Sequence, residues 1–161
     1  MKKTNLKKKT NLKTKAKLAP KAPIKKRKSK RIDKKATQLA RDIWRLLGYC
    51  ENPDCKNTKS TPQLQGAHII GVGTAPRIAS DLRNGFCLCS YCHRYYTDHP
   101  IEFAKFIEKS WANQYYERLF ELSKVRDEKV DWEDRMDFLK DVYQRISEGE
   151  LTIEVARSYE V

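Results

Sequence analysis

The chain has 161 residues, enough for one domain of ordinary size, and a formal net charge of +13. Seventeen of its 34 Lys/Arg and one of its 21 Asp/Glu fall in residues 1–35, a net +16 that leaves −3 on the rest. No apolar run approaches the ~20 residues of a membrane span, and no apolar stretch follows the first lysines as a secretory leader requires, so the sequence predicts a soluble, cytoplasmic protein.

Residues 1–32 are Lys-rich, lack aromatics and contain two prolines. So little apolar surface cannot offset chain entropy, and a disordered arm is expected. Arms of this kind bind polyanions by releasing counterions, and Lys25, Lys26 and Arg27 are candidate DNA contacts. Folded structure should start at Asp33, a good N-cap. Ala36, Leu39, Ala40, Ile43, Leu46 and Leu47 follow at helical spacing, and Gly48 is a suitable stop.

Residues 50–62 read as a knuckle and a loop, 63–70 as a short strand, 71–81 as a Gly/Pro-containing loop and 85–89 as a second strand. A helix is expected from Ser90 or Tyr91 to about Thr97. Pro100 then opens another, with Phe103, Phe106, Ile107 and Trp111 on one face. Helix continues through 113–124, and Asp131 caps a last one that ends near Gly149. Its apolar positions are Trp132, Met136, Leu139, Val142, Tyr143 and Ile146. The expected fold class is α+β, divided into the arm (1–32), a small strand-and-helix module with its leading helix (33–99) and a helical extension (100–161).

Five cysteines are few for a disulfide scaffold, and their pattern, Cys50-x4-Cys55 and then Cys87-x-Cys89-x2-Cys92, points to a metal. Structural Zn²⁺ takes four tetrahedral ligands, commonly thiolates from two knuckles, so Cys50, Cys55, Cys89 and Cys92 are the candidate set. Cys87 is a substitute ligand or a buried thiol. All three histidines, His68, His93 and His99, lie in the same region.

The run AHII followed by DLRNGFCLCSYCHRYYTDH resembles the HNH (His-Asn-His) endonucleases. The resemblance implies a zinc-stapled ββα-metal module that hydrolyses DNA phosphodiester bonds. By that likeness His68 deprotonates the attacking water, Asn84 pins the loop through backbone hydrogen bonds and His93 binds a catalytic divalent cation (Mg²⁺, Mn²⁺ or Zn²⁺). The element order also resembles the phage recombination-endonuclease family that includes the lambda Rap (NinG) protein. That likeness implies branched DNA as a partner, in a bacterial host cytoplasm, and is compatible with a homodimer.

Two positions depart from the HNH pattern: Ala67 stands where many members have an acidic or histidine ligand, and Thr97 where another ligand is common. Asp98 and His99 are nearby candidates to replace them, and Asp81 is a more distant one. Arg77, Arg83 and Arg94 are candidate phosphate contacts near the site. Nothing reads base edges, so structure preference rather than sequence preference is expected. A zinc-dependent nucleic-acid binding protein without catalysis is the alternative, and a recruiting protein that docks through its acidic helical tail is a third reading.

Overall fold

Two five-residue strands, β1 (Leu64–His68) and β2 (Gly85–Cys89), pair antiparallel, with Leu64 opposite Cys89 and His68 opposite Gly85. Among the described residues six α-helices accompany this hairpin: α1 (Ile24–Arg45), α2 (Ser90–Asp98), α3 (Pro100–Lys109), α4 (Asn113–Lys124), α5 (Trp132–Ser147) and α6 (Ile153–Arg157). The computed structural model describes residues 24–57, 62–125 and 129–159. The coarse expectation, an α+β chain with a two-stranded sheet and clustered cysteines, holds. Among the described residues no helix is long and apolar enough to cross a membrane.

Helix α1 begins at Ile24, nine residues before the Asp33 cap read from the sequence. Once Ala36, Ala40, Ile43 and Trp44 dock, the costly helix nucleus already exists, and a Lys/Arg-rich stretch without Gly or Pro can extend it backwards. The expected disordered arm is therefore helical over 24–32; residues 1–23 and the side chains of Lys25, Lys26 and Arg27 lie outside the described residues. At the other end Gly48 (φ 75°) takes the left-handed conformation and its N–H reaches the Arg45 carbonyl at 3.1 Å.

Side-chain alternation gives the hairpin two faces. A Cβ on Gly66 would lie 2.8 Å from the Arg41 Cα, and one on Gly85 would lie 2.3 Å from the Trp44 ring, so α1 can approach only where the strands carry glycine. Ala67, Phe86 and Leu88 pack instead with Tyr96 of α2, Phe106 and Ile107 of α3 and Ala112. Burial of every β2 residue explains its unbroken apolar run.

A second core joins Ala36, Ala40, Ile43 and Trp44 to Leu82, to Leu139 and Val142 of α5, and to Leu151 and Ala156. The helical extension thus shares a core with the leading helix. Asp131 caps α5, accepting from the Glu133 and Asp134 N–H groups. Leu46 and Tyr143, expected on apolar faces, are exposed instead, while Trp44 is fully buried with its indole N–H on the Leu82 carbonyl at 3.0 Å. Helix α6, capped by Thr152, went unread in the sequence because five residues carry no periodic signal.

Candidate metal centre and histidine site

Cys50 and Cys55 come from the knuckle after α1, Cys89 from the end of β2 and Cys92 from the first turn of α2. Their four sulfurs all lie within 4.8 Å of one another. The Cys55 Sγ is 3.6 Å from that of Cys89 and 3.5 Å from that of Cys92. Tetrahedral zinc with bonds of ~2.3 Å sets ligand sulfurs about 3.8 Å apart, so the group could hold such an ion with little rearrangement.

Local hydrogen bonds build the cluster. Asn52 folds the CENPDC turn, its carbonyl accepting from the Cys55 N–H at 3.1 Å and its Oδ1 from the Asp54 N–H at 3.1 Å. The Asn52 amide also donates to the Cys92 sulfur at 3.3 Å. Burial pushes the Cys50 thiol up to about 11 and raises Cys92 as well. At Cys89 burial is outweighed by hydrogen bonds from the Cys92 N–H, the Asn57 side chain and the neighbouring thiols, which leave it at about 7. Four thiols packed this closely need a cation to ionise together. Cys87 stands outside the group; burial, then the Glu51 carboxylate, pushes its thiol up to about 12, and it remains a neutral core residue.

Asn84 is fully buried in a short 3₁₀ turn (Leu82–Asn84) that leads into β2. Its Oδ1 accepts from the Ile70 N–H at 2.8 Å, and its Nδ2 donates to the Ile70 and Ile78 carbonyls, each at 3.1 Å. One side chain therefore pins both ends of the 69–84 connection. Next to Ile78, the Ala79 carbonyl accepts from His68 Nε2 at 2.8 Å. Neutral His68 consequently carries its proton on Nε2 and a lone pair on Nδ1. The Trp44 ring meets the imidazole edge-on at 5.0 Å.

His93 donates from Nδ1 to the Gln65 Oε1 at 2.6 Å, which leaves its Nε2 lone pair for a cation. Burial lowers both histidines, His68 to about 4, and the positive charge of Arg41 lowers both further. Both are neutral at pH 7.

A stability signature follows for His68. Its folded pKa of about 4 lies below the ordinary 6.5, so the unfolded chain binds the proton more tightly. The contribution is complete above pH ~6.5 and is lost as pH falls towards 4, by up to roughly 3 kcal/mol. Denaturant unfolding at pH 7.5 and 5.0 should show a smaller loss in His68→Gln than in wild type. Equal losses would remove His68 as the cause.

The structure separates other residues from the site. His99 ends α2 six residues beyond His93, stacked on Tyr95 at 4.5 Å, its Nδ1 on the Tyr95 carbonyl. Six residues turn a helix by about 240° and advance ~9 Å, so His99 is not brought to His93. Ala67 is buried core, and the Thr97 hydroxyl donates to the His93 carbonyl at 2.8 Å. Among the described residues the four cysteines are the only group of three or more potential ligands.

Arg83 abuts Asn84 in sequence but turns inward. It donates to Asp81 through Nε at 3.0 Å and Nη2 at 2.7 Å, a buried pair with no surface for a DNA phosphate. Arg94 is exposed on α2 beside His93, whereas Arg77 lies in the connection next to Arg135 and Asp81, in a separate cavity of about 400 Å³. Gln65 and Glu51 went unread because their partners, His93 and Arg157, lie far along the chain. A comparison of the chain with family models, curated proteins and solved structures finds no match.

Proposed function

We propose that the chain is a metal-dependent HNH endonuclease that hydrolyses DNA phosphodiester bonds, with a structural Zn²⁺ on Cys50, Cys55, Cys89 and Cys92 and a preference for structure rather than sequence. The observation that carries the reading is the pair of oppositely tethered imidazoles. His68 is held on the Ala79 carbonyl with Nδ1 as its basic nitrogen, and His93 is held on Gln65 with Nε2 left to bind.

Neutral His68 takes a proton from water at Nδ1 while the water oxygen forms a bond to phosphorus. The P–O bond to the leaving sugar oxygen breaks, and that oxygen takes a proton from solvent. A divalent cation supplies charge stabilisation on the phosphoryl oxygens when bound. Its only protein donor among the residues of the motif is His93 Nε2, so water and the substrate phosphate would complete its shell.

Cleavage of supercoiled and branched DNA with Mg²⁺, Mn²⁺ or EDTA tests the proposal. His68→Ala is expected to lower the rate 10²–10⁴-fold with binding retained. Undiminished cutting by that variant would end the assignment of the base. The ligand-poor shell left by Ala67 and Thr97 favours a second reading, a zinc-dependent binder without catalysis. Salt-sensitive DNA binding with one tight metal per chain and no nicking would select it.

A further inference from the structure

Arg41 lies on α1 where the helix rests on β1, its Cα, Cβ and Cγ directly over Gly66, two residues before His68. Its Nε is buried and has no hydrogen-bond partner, and no ion pair holds it among the described residues. Arg157 Nε is also without a partner, but the rest of that guanidinium sits on Glu51, as that of Arg83 sits on Asp81; Arg41 has no such carboxylate among the described residues. A desolvated guanidinium N–H with nothing to donate to is costly and implies an acceptor still to arrive.

Where that acceptor would sit is indicated by β1. Gly66, under Arg41, and His68 alternate onto the same face of the strand, and Trp44, one turn along α1 from Arg41, meets the His68 imidazole at 5.0 Å. A cation that no carboxylate pairs among the described residues, on the strand face that carries His68, is suited to an anion. A guanidinium offers donors in a planar fork that matches phosphoryl oxygens.

We propose that Arg41 binds a non-bridging oxygen of the scissile phosphodiester beside His68 and takes up part of the charge that builds there as water attacks. The inference rests on the endonuclease reading and names a substrate-binding residue that the motif does not contain. It also explains how a site without Ala67-position or Thr97-position ligands stabilises charge: a fixed cation on α1 shares the task of the divalent ion.

The test uses the full zinc-loaded chain with Arg41→Gln and Arg41→Lys, each first shown to melt like wild type. On DNA, Arg41→Gln should cut 10²–10³-fold more slowly, as for loss of one transition-state donor, with Arg41→Lys between it and wild type. Separately, titration of inorganic phosphate should shift the Arg41 Nε–H resonance of wild type, and Arg41→Gln should lose phosphate protection of the His68 and His93 resonances. Wild-type cutting with Arg41→Gln within threefold of it would overturn the proposal. Phosphate bound through Arg41 by a chain that never cuts would keep the anion site and remove the nuclease. No phosphate shift, with cutting unchanged in both variants, would remove Arg41 alone.

Discussion

Replacement of Cys89 by serine is expected to unfold the chain at room temperature rather than merely weaken it. Cys89 has three roles at once: it ends β2, its sulfur accepts from the Cys92 N–H at 3.5 Å as the cap of α2, and it faces Cys55 across the cluster. Serine can keep the cap, but its hard oxygen is a poor zinc ligand. Structural zinc contributes on the order of 10 kcal/mol or more in small finger peptides, against a typical total stability of 5–15 kcal/mol. The sheet is two five-residue strands with glycine at 66 and 85, and has little of its own to fall back on. Far-ultraviolet dichroism, near-ultraviolet dichroism and zinc content, measured together on wild type, chelated wild type and Cys89→Ser, check this. A metal-free wild type with an unchanged melt would show that the cluster is not structural.

Arg157→Ala should cost about 3–5 kcal/mol, a large loss for a residue outside every motif. Glu51, next to Cys50, accepts four hydrogen bonds. Oε1 takes the Trp111 indole N–H and the Arg157 Nη1, each at 2.8 Å; Oε2 takes the Cys87 N–H at 2.6 Å and the Arg157 Nη2 at 3.0 Å. Arg157 also reaches the Gly85 carbonyl at 3.2 Å and stacks 3.8 Å from the Trp111 ring centre. Truncating it leaves the Glu51 carboxylate buried without its counter-charge. Removing both charges, in Glu51→Gln with Arg157→Met, should cost clearly less than the single change, because the stranded charge rather than the lost bond dominates. Denaturant unfolding of the two singles and the double decides it. A double variant as damaged as the sum of the singles would refute this origin of the loss.

Much of the architecture was legible because its signals are local. The apolar period of α1 from Ala36, the Asp131 cap, Pro100 at the start of α3 and the two cysteine pairs all announce themselves within a few residues. What was hidden depends on distance or direction. Glu51 and Arg157 meet across 106 positions, and Gln65 and His93 across 28. Arg83 was misplaced because adjacency to Asn84 says nothing of which way a side chain turns inside a 3₁₀ turn. His99 was misplaced because closeness in sequence along a helix is not closeness around it.

The buried amide of Asn84 bears on how the protein ages. It precedes Gly85, and in a flexible chain an Asn-Gly pair is prone to deamidation, the glycine nitrogen attacking the side-chain carbonyl to leave aspartate. Here that carbonyl is occupied by the Ile70 N–H, its amide by two backbone carbonyls, and Gly85 is fixed in a strand. Folding thus shelters a chemically weak bond, and each excursion to the unfolded state exposes it. An aspartate formed there would set a negative charge against the Ile70 and Ile78 carbonyls it can no longer donate to. A chain held unfolded would then lose the ability to refold over time, and restoring folding conditions would not reverse the damage.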